Sequence, residues 1–203
     1  DDRLFSSGLE TYWKQIFDIG KGQHIPINGL EFYQVPQTKK YFIIAVTPTR
    51  MYQFQGYASG DNESRPLLQH IFNNYLNIPE RFLELPSSLK YSVLSVYYHH
   101  TSKTGKSQHQ KLYPKSFGWM TEPGLYTGQI DPYSGDNDTV TVDCQLIPFP
   151  KTNDHKVPTT FLLTEFHALL LYENKVQGIC LLNEQSVFED IKDANHGKLV
   201  GVT

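Results

Sequence analysis

The chain has 203 residues, 18 basic and 21 acidic, with net charge −3, and 13% of it is aromatic. That length suits one large domain or part of a bigger one. The basic residues form no stripe able to neutralise phosphates, which excludes a duplex-binding surface and leaves no nucleic-acid partner. No window approaches the roughly 18 consecutive apolar residues of a membrane-spanning helix. The start, Asp1-Asp2-Arg3-Leu4, lacks the positive charge and apolar core of a signal peptide and reads as that of a cut piece. Cys144 and Cys180 alone make no disulfide framework and fit a reducing cytosolic setting.

Gly29 to Val35 alternates and stops at Pro36, as a short strand does. Lys40 to Thr47 is a dense β-branched and aromatic run, Pro48-Thr49 turns, and Arg50 to Gly56 returns with period two. Met51, Tyr52 and Phe54 do not share one face, so that returning strand is expected to be covered on both sides. The pattern breaks at Asp61 to Asn77. Ser64 can cap, Pro66 sits in the first turn, and Leu67, Leu68, Ile71, Phe72, Tyr75 and Leu76 recur at helical spacing. One helical insertion is therefore expected over about 61–80, packed on a sheet edge or offered for docking.

Strand character resumes over Tyr91 to Tyr98, and the polar stretch His99 to Lys111 reads as a mobile loop. Ser116 to Met120 and Gly124 to Ile130 form a hairpin across Thr121-Glu122-Pro123. Asp131 to Asp138 is a turn cluster, Thr139 to Leu146 a strand stopped by Pro148 and Pro150, and Lys151 to Pro158 a connecting loop. Thr160 to Thr164 then turns through Glu165-Phe166 into His167 to Tyr172, and Glu173-Asn174-Lys175 leads into Val176 to Leu182. Hairpins near Thr47, Glu122 and Phe166, with an incipient strand at Lys198 to Val202, recur at about the 40–50 residues of a propeller blade once the insertion is removed. One such sheet cannot bury both faces alone, so neighbours stack around an axis. A sandwich also uses short strands, but the helical insertion and blade-length interval favour the propeller.

Catalytic motifs are absent: no G-x-S-x-G, H-E-x-x-H, phosphate-binding loop or dinucleotide fingerprint occurs. His99 and His100, with His109, invite a zinc reading, but successive strand residues point to opposite faces. Neither cysteine has a C-x-x-C partner, and Cys180 reads as a small core residue. His167 at a hairpin turn reads as turn chemistry, and Asp131, Asp136 and Asp138 lack calcium-loop spacing. Trp119 is expected between blades, and Trp13 could serve as an exposed contact. A glycosidase on a propeller would need two converging carboxylates, for which Glu31, Glu122, Glu165 and Asp131 are the candidates. An extracellular binding domain would be supported by occupancy of the sequons Asn62-Glu63-Ser64 and Asn137-Asp138-Thr139.

The run Phe161 to Tyr172, continuing through Val176 to Ile179-Cys180, resembles the N-terminal propeller of the deep orange family, the vacuolar protein sorting-associated protein eighteen or Pep-three type. Three further pieces agree in order: Tyr41 to Thr47 with Arg50 to Phe54, Phe82 to Pro86 with Leu89, Tyr91 and Ser92, and Phe117 to Met120 with Gly124 to Tyr126 and Ile130-Asp131. The family's members are core subunits of the HOPS and CORVET tethering complexes. The resemblance implies an all-β fold, a partial β-propeller of about four blades, with residues 1–203 forming part of a single propeller domain. It also implies a non-catalytic scaffold without cofactor or metal, whose partners are the protein subunits of a tether. Such a scaffold is cytoplasmic and peripheral on late endosome, lysosome or vacuole membranes, bound to them only through its partners. The family's helical solenoid and zinc-binding RING domain have no counterpart in these residues, and their functions are not carried over.

An open fan of sheets presents unpaired faces and strand edges, which template association. The 203-residue chain expressed alone is expected to sediment as oligomers or aggregates, whereas a sharp monomer boundary with cooperative melting would contradict this.

Overall fold

The computed structural model describes residues 19, 24–58, 71–72, 82–86, 92–101, 111–133, 139–149, 157–183 and 186–191. Twelve strands among them form three four-stranded antiparallel sheets, each a simple meander. The first contains β1 (Gly29–Gln34), β2 (Lys40–Val46), β3 (Arg50–Tyr57) and β4 (Phe82–Glu84). The second contains β5 (Val93–Thr101), β6 (Lys111–Met120), β7 (Gly124–Ile130) and β8 (Thr141–Pro148). The third contains β9 (Thr160–Leu163), β10 (His167–Leu171), β11 (Lys175–Cys180) and β12 (Ser186–Ile191). The fourth unit of the expected count fell on residues 198–202, which lie outside the described residues, as does Trp13.

Three of the tight turns share one device. Thr47, Thr121 and Thr164 each donate their amide to the carbonyl three residues on, at 2.8, 2.9 and 2.8 Å. The Thr47 and Thr164 hydroxyls also accept the amides of Arg50 and His167, both at 3.0 Å. A threonine that closes its own turn spares the hairpin any need for Asn-Gly.

The sheets meet by their faces. Phe42, Ile44 and Met51 of the first pack with Phe117 and Trp119 of the second, and Met120, Leu125 and Ile147 of the second pack with Phe161, Leu163, Ala168 and Leu170 of the third. β6 serves both interfaces because alternate residues point to opposite faces: Phe117 and Trp119 to one side, Gly118 and Met120 to the other. The first strands also lie side by side, β1 against β5 and β5 against β9. Three sheets radiating from adjacent first strands are successive blades of a propeller, not the two layers of a sandwich.

The two-sided cover expected for β3 is present. Met51 joins the core between the first two sheets, while Tyr52 and Phe54 join a separate cluster with Ala45, Ile71 and Phe72. Of the expected helical insertion, only Ile71, in a helical conformation, and Phe72 are described, both buried on the first sheet's far face. The rest of 61–80 lies outside the described residues.

Four expectations need correcting. His99 to Thr101 and Lys111 to Tyr113 are strand, because the β5–β6 ladder continues past a register shift at Tyr97/Tyr98, where Pro114 stands opposite Tyr98. A bulge admits proline where an unbroken ladder would not; residues 102–110 lie outside the described set. The strand expected to stop before Pro148 runs into it, since β8 is an edge strand and Pro148 pairs only with Gly124. Two outer strands, β4 and β12, complete their sheets where no strand was expected. Cys180 is half-exposed, its neighbour Ile179 taking the core position against Ala168.

At Gly118 the second and third sheets are in tight contact: a Cβ there would stand 2.7 Å from the Phe161 ring. Gly118→Val is expected to cost about 1–3 kcal/mol through overpacking, read as a lower urea midpoint. An unchanged midpoint would mean the two sheets are not in contact there.

Candidate protein-docking surface

Most polar side chains that cross between the first two sheets are engaged in clasps. Gln53 donates from Nε2 to Thr141 Oγ1 at 2.7 Å and accepts the Val140 amide at 3.0 Å. Ser92 Oγ donates to the Thr47 carbonyl at 2.8 Å. Lys40, buried at the end of β2 that adjoins the β1–β2 turn, donates from Nζ to the Pro132 carbonyl at 2.7 Å. Burial pulls its ammonium below the usual lysine range, with Asp131 opposing the shift. These clasps satisfy groups that would be costly to bury unpaired. They fix the angle between blades.

Along β1 the two sheets meet through successively larger side chains. At its start Gly29 is tight against Leu94, where a Cβ would lie 2.6 Å from that of Leu94. Two residues on, Glu31 Oε2 accepts the Tyr98 hydroxyl at 2.8 Å. Two further, the Tyr33 hydroxyl donates to the Leu112 carbonyl, and its ring lies 6.1 Å from Tyr98 and 5.6 Å from Phe42. Burial, then the neighbouring Tyr113 and Tyr133, push the Tyr33 phenol up. Burial, then the Glu31 bond, push Tyr98 well above the ordinary tyrosine range.

Beyond the seam, large apolar side chains stand in solvent at the same end of the sheets. Among them are Leu112 (45% exposed), Tyr133 (62%), Phe166 (47%) and Leu182 (77%). The Leu181 amide bonds the Phe166 carbonyl at 2.8 Å, which places Phe166 beside Leu182. Lys115 pairs with Glu165 and sits 5.6 Å from the Phe166 ring centre, linking the second sheet to the third. The Lys115 hydrogen bond pulls the Glu165 carboxyl down. Exposed aromatic and aliphatic anchors on a rigid frame are what protein docking uses.

The candidate carboxylates each serve a different local partner or turn. Glu31 serves the seam, Asp131 caps the Tyr133 amide at 3.0 Å, and Glu165 bonds Lys115 near the start of β6. Glu122 occupies the turn that follows the other end of β6. His99 and His100 are successive residues of β5, with His109 outside the described residues, and no cluster of metal-ligating side chains occurs among the described residues. His167 closes the Thr164 turn. Sequence reasoning named Glu31 but missed Tyr33, Tyr98 and Lys40, whose partners are 79, 67 and 92 residues away.

Tyr98→Phe removes the donor to the Glu31 carboxylate and is expected to cost about 1.5–3 kcal/mol at neutral pH. Because folding raises the Tyr98 pKa above its ordinary 10.0, its contribution is present below pH 10 and lost as pH rises beyond it. The variant should therefore lose less stability than the parent above pH 10. Parallel alkaline curves would contradict the bond.

The chain matches, over residues 1–203, the family model described as the Pep3/Vps18/deep orange beta-propeller domain. It is 33% identical over 199 residues to the vacuolar protein sorting-associated protein 18 homolog of Danio rerio, covering 97% of this chain and 19% of that protein. It is 30% identical over 201 residues to the Drosophila melanogaster homolog, covering 93% and 19%. To vacuolar sorting protein 18 of Arabidopsis thaliana it is 27% identical over 204 residues, again covering 93% and 19%. The chain thus spans about a fifth of the length of these relatives. With its three radiating four-stranded sheets, it belongs to the Pep3/Vps18/deep orange β-propeller family.

Proposed function

We propose that the chain is a non-catalytic docking platform in a vesicle-tethering assembly of the HOPS or CORVET type, acting in vacuolar and lysosomal trafficking. In this reading residues 1–203 are part of one propeller domain. Its partners are the protein subunits of the tether. It works in the cytoplasm, peripheral on late endosomes, lysosomes or vacuoles, and reaches those membranes through its partners.

One observation carries the reading. Lys40, Gln53 and Ser92 hold the first two sheets together at the seam, while Leu112, Tyr133, Phe166 and Leu182 stand unburied at one end of the sheets. Chemistry needs tuned acids and bases converging on a hollow. Docking needs a stiff frame and a few desolvatable anchors. The relatives' names, vacuolar protein sorting and vacuolar sorting, point the same way. Among the described residues no helix is long and apolar enough to cross a membrane.

An affinity-tagged, full-length polypeptide bearing this chain should co-purify with the other tether subunits, and Phe166→Asp with Leu182→Asp should reduce that recovery without shifting the melting temperature. Recovery of the polypeptide free of those subunits, or glycan turnover by the purified protein, would overturn the proposal.

A further inference from the structure

Glu31 is the least provided-for charge at the seam. It is half-buried, and a carboxylate accepts up to about four hydrogen bonds. Here it accepts the Tyr98 hydroxyl, and no lysine or arginine pairs with it among the described residues. Lys40, a cation at the same seam, spends its ammonium on the Pro132 carbonyl. A carboxylate withdrawn from water gains most from a cation brought to it.

The surroundings suit a cation carried on an apolar stem. The Tyr33 and Tyr98 rings lie 6.1 Å apart, inclined at 45°, and the faces of such rings attract guanidinium and ammonium groups. Tyr33 continues outward to Leu112, and Leu112 and Tyr133 are both exposed at the mouth. The long stems of lysine and arginine pack on apolar surface while the head group stays polar. The chain's net charge of −3 favours approach of basic segments over acidic ones.

We propose that the corner formed by Glu31, Tyr33 and Tyr98, at the seam of the first two sheets, receives an arginine or lysine side chain from an extended segment of a partner protein, with Leu112 and Tyr133 holding its apolar flanks. The inference rests on the docking reading only in taking the occupant to be a protein. It names the chemistry of the partner: one basic residue between apolar neighbours. Arginine suits the corner better than lysine, because its planar fork can bond the carboxylate while stacking on a ring.

The test uses the full-length protein, immobilised, and two pools of synthetic heptapeptides that are degenerate except at the centre. One pool fixes arginine there; the other fixes citrulline, which keeps the shape and removes the charge. Bound peptides are read by mass spectrometry. Retention of the arginine pool should exceed that of the citrulline pool about tenfold, roughly 1.4 kcal/mol, with aliphatic or aromatic residues enriched beside the centre. Glu31→Gln should bring the two pools to parity. If that variant fails to fold, Tyr133→Ala decides, since its side chain stands in solvent. It should weaken retention of both pools and erase the apolar enrichment. Equal retention of the two pools by the parent protein, an arginine preference that survives in folded Glu31→Gln, or undiminished retention of both pools by Tyr133→Ala would overturn the proposal. Loss of tether co-purification with the peptide preference intact would instead count against the proposed function alone.

Discussion

The arrangement depends on β6 being apolar on both faces. Phe117 and Trp119 fill the space against the first sheet, and Met120 fills the space against the third. Between them Gly118 supplies no side chain, which lets the Phe161 ring come in beside the strand. A four-stranded sheet with one wet face would have no reason to accept a second neighbour. With two dry faces it must take one on each side, and the twist of each sheet turns the stack into a fan. Both interfaces exclude water from large aromatic and aliphatic surface, the dominant favourable contribution to such packing. Polar clasps such as Gln53 to Thr141 add angular definition rather than bulk stability.

Much of this was legible from alternation. The run Lys40 to Val46, the return through Phe54, the Thr121-Glu122-Pro123 turn and the Thr160 to Leu171 hairpin are strong local patterns, and all are present. The two-sided cover of β3 followed from Met51, Tyr52 and Phe54 falling on different faces. Trp119 is buried between sheets as expected. What escaped was either weakly patterned or non-local. The outer strands β4 and β12 are short or charged, as blade edges tend to be, and carry little periodic signal. The polar ends of β5 and β6 are held by the ladder beyond a bulge, not by an apolar face. The repeat interval was read from unlike turns. The third sheet's central turn follows Leu171, so the central turns recur after about 75 and 50 residues, while Phe166 marks the turn between the sheet's first and second strands.

The candidate docking surface was harder still to read. Glu31 is unremarkable in sequence, because nothing near it predicts Tyr98, 67 residues away, as its partner. Fold and surface together separate two kinds of polar residue. Those sealing the seam, Lys40, Gln53 and Ser92, have well-placed partners and a structural part to play. Glu31 accepts the Tyr98 hydroxyl and pairs with no lysine or arginine among the described residues, and Leu112 and Tyr133 are exposed at the same end of the seam. On the proposed docking reading, residual capacity on a rigid frame is what a partner would use.

The face-to-face stacking is tested most directly by a double-mutant cycle between Gly118→Val and Phe161→Ala, measured by urea unfolding. If the second and third sheets pack through this pair, shortening Phe161 makes room for the valine. The double variant should then lose less stability than the two single losses added, by at least about 1 kcal/mol. Simple additivity would mean that the two residues do not meet, and that the sheets are not stacked as blades.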